Sequence, residues 1–113
     1  MKTLVTNTLA ERQRAGIAAH ALISLGLHLS RHVANLAAPR GQRLPGPGVN
    51  DHLTVELYSA DIDAWAVTIN VSGDTLTFDE DGSAVRRVDG LLPDSGLRVQ
   101  LVATYPALQA VSA

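Results

Sequence analysis

The chain has 113 residues, of which 46% are hydrophobic and only four are aromatic. This length suits a single domain with one core, which aliphatic side chains must largely fill. The absence of cysteine excludes disulfides, a thiolate nucleophile and cysteine-based zinc or iron–sulfur sites, and it fits the cytoplasmic location that we expect.

The formal net charge of −2 hides two halves of opposite sign. Residues 1–50 carry six basic residues and one acidic residue, a net charge of +5, whereas residues 51–113 carry three arginines and ten acidic residues, a net charge of −7. This asymmetry favours either an external partner for one half or contact between the halves, within one molecule or between copies.

The N-terminal segment predicts a long helix over about residues 8–37. Thr8 and Glu11 form a capping-box pattern, and no proline interrupts the chain before Pro39. Apolar residues recur at steps of three and four, which predicts one buried stripe along the helix. The stripe consists of Ala18, Leu22, Leu25, Leu29, Val33 and Leu36.

Three further apolar residues of this helix lie off the stripe, namely Ile17, Ile23 and Leu27. Ile23 and Leu27 point almost opposite to the stripe, because successive helical residues are rotated by roughly 100°. One face of a sheet cannot cover both sides of a helix. These residues therefore predict a second contact surface, which we expect another copy of the chain to cover.

The remainder of the chain predicts a connector followed by strands. Residues 39–50 are rich in proline and glycine, which is typical of an extended connector within a domain. From residue 52 to residue 105 the apolar period changes to two, interrupted by turns rich in Asp and Gly. Strands are predicted at residues 53–58, 65–71, 75–78, 84–88 and 97–103, with turns at residues 72–74 and 79–82.

Together these elements predict an α+β fold. One domain spans residues 1–113, and its long N-terminal helix packs on a four- to five-stranded antiparallel β-meander. The most apolar run, residues 15–29, falls short of the ~20 apolar residues that span a bilayer and includes three polar residues. We therefore expect no membrane partner, no membrane-spanning segment and no cleaved signal peptide.

A histidine pair is the most suggestive candidate for a metal site. His28 and His32 lie one helical turn apart, a spacing at which two imidazoles can bind zinc, copper or nickel. Two ligands are only half of a site, and the His-Glu-x-x-His pattern of metalloproteases is absent. We therefore predict no cofactor and interpret both histidines as polar groups beside the apolar stripe, with a metal site as the alternative.

The function classes follow from what is present and what is missing. The chain has no Gly-x-Ser-x-Gly elbow and no Gly-x-x-x-x-Gly-Lys loop. The leading hypothesis is a non-catalytic interaction or assembly protein that self-associates through Ile17, Ile23 and Leu27 of its helix. It would act as a homo-oligomer, or as a structural component or inhibitor within a larger phage-like or bacterial complex.

Two other hypotheses stay open. The first is a nucleic-acid-binding accessory protein that uses the basic helix and connector, because arginines neutralise phosphates. Its candidate residues are Arg12, Arg14, Arg31, Arg40 and Arg43. The second is a small enzyme whose site is assembled from distant segments and so is invisible in the sequence.

Overall fold

The structure, a computed structural model, describes residues 9–46 and 51–107. Helix α1 (Leu9–His32) precedes a five-stranded sheet, which confirms the α+β fold class. The predicted cap Thr8 lies outside the described residues. α1 ends at His32 instead of residue 37, and the backbone amides of Asn35 and Leu36 both donate to the His32 carbonyl in the turn that follows.

The sheet joins strands that are distant in the sequence. Its members are β1 (Gly41–Arg43), β2 (Leu53–Tyr58), β3 (Asn70–Phe78), β4 (Ala84–Leu91) and β5 (Arg98–Tyr105). Their spatial order is β1-β2-β5-β4-β3. The antiparallel meander is confirmed for β3, β4 and β5, whereas β2 lies parallel to β5, with Val55 opposite Leu101. Side-chain alternation indicates which face of a strand is buried, but it does not indicate which strand lies alongside.

A short helix, α2 (Ile62–Val67), occupies the first part of the strand predicted at residues 65–71. That strand prediction was wrong because a short segment can match both periods. Ile62, Trp65 and Ile69 have helical spacing and are buried, whereas Val67, which the alternating pattern would bury, is 86% exposed.

Two local features also differ from the sequence-based expectation. β1 lies within the predicted connector and pairs antiparallel with β2, with Gly41 opposite Glu56. The turn predicted at residues 72–74 is instead a bulge, because the register with β4 shifts between Val71 and Gly73 while β3 continues to Phe78. An extra residue in a strand bends it without reversing the chain.

One apolar cluster joins α1, α2 and one face of the sheet. The sheet contributes alternate residues of its central strands, namely Leu53, Val55, Leu57, Val88, Val99, Leu101 and Ala103. The Trp65 indole N–H donates to the Ala37 carbonyl over 3.1 Å and so ties α2 to the segment after α1. The opposite face of the sheet carries partly buried or exposed polar residues such as Glu56, Gln100 and Thr104.

Candidate interaction surface on helix α1

The inner face of α1, formed by Ala21, Ser24, Leu25 and His28, is the face that packs on the domain. All four residues are buried, with Ala21 at 0% and Leu25 at 3% exposure. The predicted stripe was only partly right, because Leu22 is 47% exposed. The true buried face is rotated toward Ser24 and His28, and hydropathy could not register these positions because both residues are polar.

Other stripe residues divide in the same way. Leu25 and Leu36 are buried and Leu29 is partly buried against the cluster, whereas Val33 is 69% exposed. Val33 follows the last residue of α1, where the chain has begun to turn. A helical spacing beyond the end of the helix no longer places a residue on the same face.

His28 is held by a polar network inside the apolar contact. Its Nε2 lies 2.7 Å from the Thr68 hydroxyl oxygen. The Thr68 hydroxyl donates its one proton to the Trp65 carbonyl over 2.8 Å, so Nε2 of His28 must carry a proton and donate it to Thr68. Burial lowers the pKa of His28, and the neighbouring His32 lowers it further. His28 is therefore a neutral structural donor at pH 7.

His28 and His32 have no third metal-ligating side chain beside them among the described residues. The rings of His28 and His32 are 4.8 Å apart between centroids. No group of three or more His, Cys, Asp or Glu side chains that could hold a metal ion occurs in residues 9–46 and 51–107. Binding through Nε2 of His28 would require the loss of its hydrogen bond to Thr68.

The outer face of α1 is apolar and faces away from the domain. Ile23 and Leu27 are 63% and 53% exposed. A Cβ atom added at Gly16 or Gly26 would meet no atom within 4 Å, so both glycines also border open space. No Asp, Glu, Lys or Arg occurs in residues 15–30. We use the name outer face for Gly16, Ala19, Leu22, Ile23, Gly26, Leu27 and Ser30.

Ile17 does not belong to the outer face. It is partly buried and lines a groove between α1 and the loop before β5 together with Leu97, and Gly16 lies where this groove meets the outer face. His20, Asp51 and Ser95 border the same groove, a combination that occurs in hydrolases. Their partners differ, however. Among the described residues His20 contacts Ser24 at 3.4 Å, Asp51 accepts from Arg98 at 3.2 Å and the Ser95 hydroxyl accepts from the Leu97 amide at 3.2 Å.

A nucleophile needs a base within hydrogen-bonding reach. The groove contains no such bond between Ser95 and His20 in the part of the chain that the structure describes. The groove thus contains a serine, a histidine and an aspartate, but these three residues do not form a catalytic triad.

The five candidate arginines are dispersed. Arg31 forms an ion pair with Asp94, and Arg43 lies 3.3 Å from Glu56. Arg40 stacks over the Tyr58 ring, with its guanidinium carbon 4.9 Å from the ring centroid. Arg12 and Arg14 lie in the first turns of α1, far along the chain from the others. Acidic residues of the second half thus meet two of the basic residues of the first half.

No sequence pattern points to Arg86 of β4, which makes more side-chain hydrogen bonds than any other arginine among the described residues. Its guanidinium donates to Asp74 at 2.8 and 3.0 Å, to Asp63 at 2.7 Å and to the Tyr105 hydroxyl at 3.4 Å. The hydrogen bonds from Arg86 lower the pKa of Asp74, and those to Asp74 raise the pKa of Arg86. The one hint in the sequence is that Arg86 alternates with Ala84 and Val88, which places an arginine on the apolar face of a strand. Both neighbours are buried in the structure.

Comparisons with known proteins do not assign the chain. No family model, no curated protein and no solved structure matches it. Within the described residues, no helix combines the length and the apolar character needed to cross a bilayer. The outer face of α1 is therefore interpreted from its own geometry and chemistry.

Proposed function

We propose that this chain is a non-catalytic assembly protein whose copies pair through the outer face of α1. The observation that carries the proposal is the exposure of Ile23 and Leu27, at 63% and 53%, within a stretch that has no charged residue from 15 to 30. A solvated helix face is normally rich in charged residues. Contiguous exposed apolar surface of this kind is typical of a protein–protein contact.

The spacing of the outer face suits an antiparallel pair of helices. Gly16, Ala19, Ile23 and Gly26 follow steps of three, four and three, which is the spacing of a coiled-coil contact. If two copies meet antiparallel at the level of Ala21, Gly16 of one copy lies opposite Gly26 of the other. Ala19 then lies opposite Ile23, so each large side chain faces a small one and the helix axes can approach closely.

The interior glycine Gly26 strengthens this interpretation. Glycine in the middle of a helix costs about 1 kcal/mol relative to alanine. A Cβ atom at Gly26 would meet nothing within 4 Å inside the chain, so the fold of one copy does not require glycine there. A close contact with another copy would supply the reason.

The nucleic-acid alternative has less support. Arg31 and Arg43 already have acidic partners, and Arg40 is stacked on Tyr58. Phosphate contacts would have to compete with these partners. Absence of binding to mixed DNA or RNA at low salt is the expected outcome, measured by fluorescence anisotropy.

The test of the proposal is the change Gly26→Leu. A side chain at this position separates the paired helices while it raises the helix propensity of each copy. We expect the mass from light scattering to fall and the free energy of unfolding, corrected for any change in association, to stay equal or rise. Ile23→Glu should lower the mass in the same way, because it places a charge in the contact.

Val67→Glu is the matched control, since Val67 is 86% exposed and lies outside α1. This variant should retain the mass of the wild type. Equal masses for Gly26→Leu, Ile23→Glu and Val67→Glu would contradict pairing through the outer face.

A further inference from the structure

The two edges of the sheet are built differently. β1 has three residues and ends at Arg43, so it is a short edge with a charged residue. β3 has nine residues, and all of its side-chain positions except Gly73 are exposed. Exposed strand edges are usually protected by Lys, Pro, a bulge or very short length. Residues 70–78 contain no Lys or Pro, and their one charge, Asp74, is bound by Arg86.

The bulge protects only the first half of β3. After it, Asp74 to Phe78 pair regularly with Val88 to Ala84 of β4. The Asp79 amide donates to the Ser83 carbonyl over 2.8 Å. The backbone N–H of residue 79 therefore points toward the side of β3 on which β4 lies. Backbone direction alternates along an antiparallel strand, and the amides and carbonyls of Asp74, Leu76 and Phe78 therefore point outward from the edge.

Two of the three side chains beside these outward-pointing backbone groups are apolar, and the third, Asp74, is bound by Arg86. Leu76 and Phe78 share one face of β3 and are 50% and 69% exposed. They border a groove over the outer part of the sheet that also includes Ala84, Tyr105 and Pro106, with the Asp74–Arg86 ion pair at its margin. An added strand could pair its backbone with β3 and cover these side chains in the same step.

We infer that β3 is a second self-association surface, which pairs antiparallel with β3 of another copy around a two-fold axis at Thr77. In this register Leu76 of each copy lies opposite Phe78 of the other. The backbone amides and carbonyls of both residues point outward from the sheet edge. The two Leu76–Phe78 pairs therefore exchange four backbone hydrogen bonds between the copies. Their side chains lie on one face and form a continuous apolar contact across the new strand pair.

Charge complementarity on the other face of β3 supports a second copy as the occupant in this register. Asp79 of one copy lies opposite Thr75 of the other, and Thr75 lies opposite Arg87 of its own β4. Asp79 and Arg87 of different copies are then two strands apart on one face, about 10 Å between backbones, which the two side chains can bridge. The Arg87 side chain makes no hydrogen bond or ion pair with any residue that the structure describes.

The existence of two contact surfaces has a consequence for assembly. α1 and β3 would each form an isologous contact with its own two-fold axis. Two such axes on one chain build a closed tetramer or an open row of copies, depending on their angle, and both exceed a dimer. This consequence rests on the proposed pairing of α1, whereas the β3 contact does not.

The register is tested by cysteine cross-linking. The chain has no cysteine, so Thr77→Cys introduces a single thiol. At the two-fold axis the two Cα atoms would be about 4.5 Å apart, within the range that a disulfide bridges. Thr75→Cys is the control, because it lies opposite residue 79 of the other copy. We expect fast disulfide dimerisation of Thr77→Cys only. Equal rates for both variants would overturn the inference.

Mass measurements separate the two contacts. Phe78→Lys should lower the mass of the assembly in light scattering, because it removes the β3 contact. Val67→Lys is the control, since it adds the same charge at an exposed site outside β3. We expect Ile23→Glu and Phe78→Lys each to leave dimers, and the double variant to be a monomer. A monomeric Ile23→Glu variant would overturn the β3 contact, and a monomeric Phe78→Lys variant would overturn the α1 contact.

A charge swap gives a second check of the register. Arg87→Glu in the Ile23→Glu background should weaken the dimer, and Asp79→Arg added to it should restore the mass, because the ion pair is rebuilt with reversed sign. Circular dichroism of each variant establishes that it is folded. Failure of Asp79→Arg to restore the mass in a folded variant would overturn this register.

Discussion

The inner and outer faces of α1 have similar apolar content but different surroundings. Leu25 is 3% exposed within the core, whereas Leu27, two residues later, is 53% exposed. The inner face also contains a buried polar network around His28, and the outer face contains open space beside its glycines. Apolar character alone therefore does not identify the core-facing side of a helix. The inner face is defined by complementary neighbours, including Thr68 and Trp65.

The largest expected difference between the faces is in stability. Leu25→Ala should lower the free energy of unfolding by about 3 kcal/mol, because it removes buried methyl groups and leaves a cavity. Leu27→Ala should change it by less than about 0.5 kcal/mol in the monomer, since the side chain is exposed. Urea unfolding at low protein concentration measures both. Equal losses would mean that the two faces of α1 have been assigned incorrectly.

A smaller effect is expected from the polar part of the inner face. Thr68→Val keeps the side-chain shape but removes the acceptor of the His28 Nε2–H, and should cost about 1–2 kcal/mol. Thr104→Val is the matched control, because Thr104 is exposed on β5. Thermal or urea unfolding provides the measurement. A loss no greater than that of the control would show that this hydrogen bond does not anchor α1.

The smallest effect concerns pH. The pKa of His28 is lowered in the folded state, so its neutral form is favoured there, and the unfolded chain takes up the proton first as the pH falls. Stability should therefore be fully present above about pH 6.5, the ordinary value for histidine, and decline below it toward the folded pKa. The charged or titratable groups that influence His28 are His32, Asp94 and Arg31.

His28→Gln retains a donor but does not titrate, so it should flatten the decline in unfolding free energy between pH 7 and pH 5. His32→Gln, one turn away, should leave most of the decline in place. Urea midpoints across this range give the comparison. An unchanged slope in His28→Gln would assign the pH dependence to another group.

The errors of sequence interpretation have identifiable causes. Residues 62–69 are too short for periodicity to distinguish a helix from a strand, and only the contact of Trp65 with the core and with Ala37 selects the helix. Arg86 could not be assigned a role, because its partners Asp63 and Tyr105 are 23 and 19 residues away. Glycines at 73 and 82 read alike as turn residues, yet only Gly82 lies in a reversal, with φ of +89°.

Local patterns along the chain predict the fold class, the long helix, and the strands at residues 53–58, 84–91 and 98–105 to within a few residues. These features follow from local periodicity and turn chemistry, which act between neighbours in the chain. Three features are known only from the packing of the folded chain: β2 lies beside β5, His28 faces the core, and Ile17 is separated from Ile23 and Leu27. Each of these depends on which distant surfaces fit together, and local pattern carries no information about that.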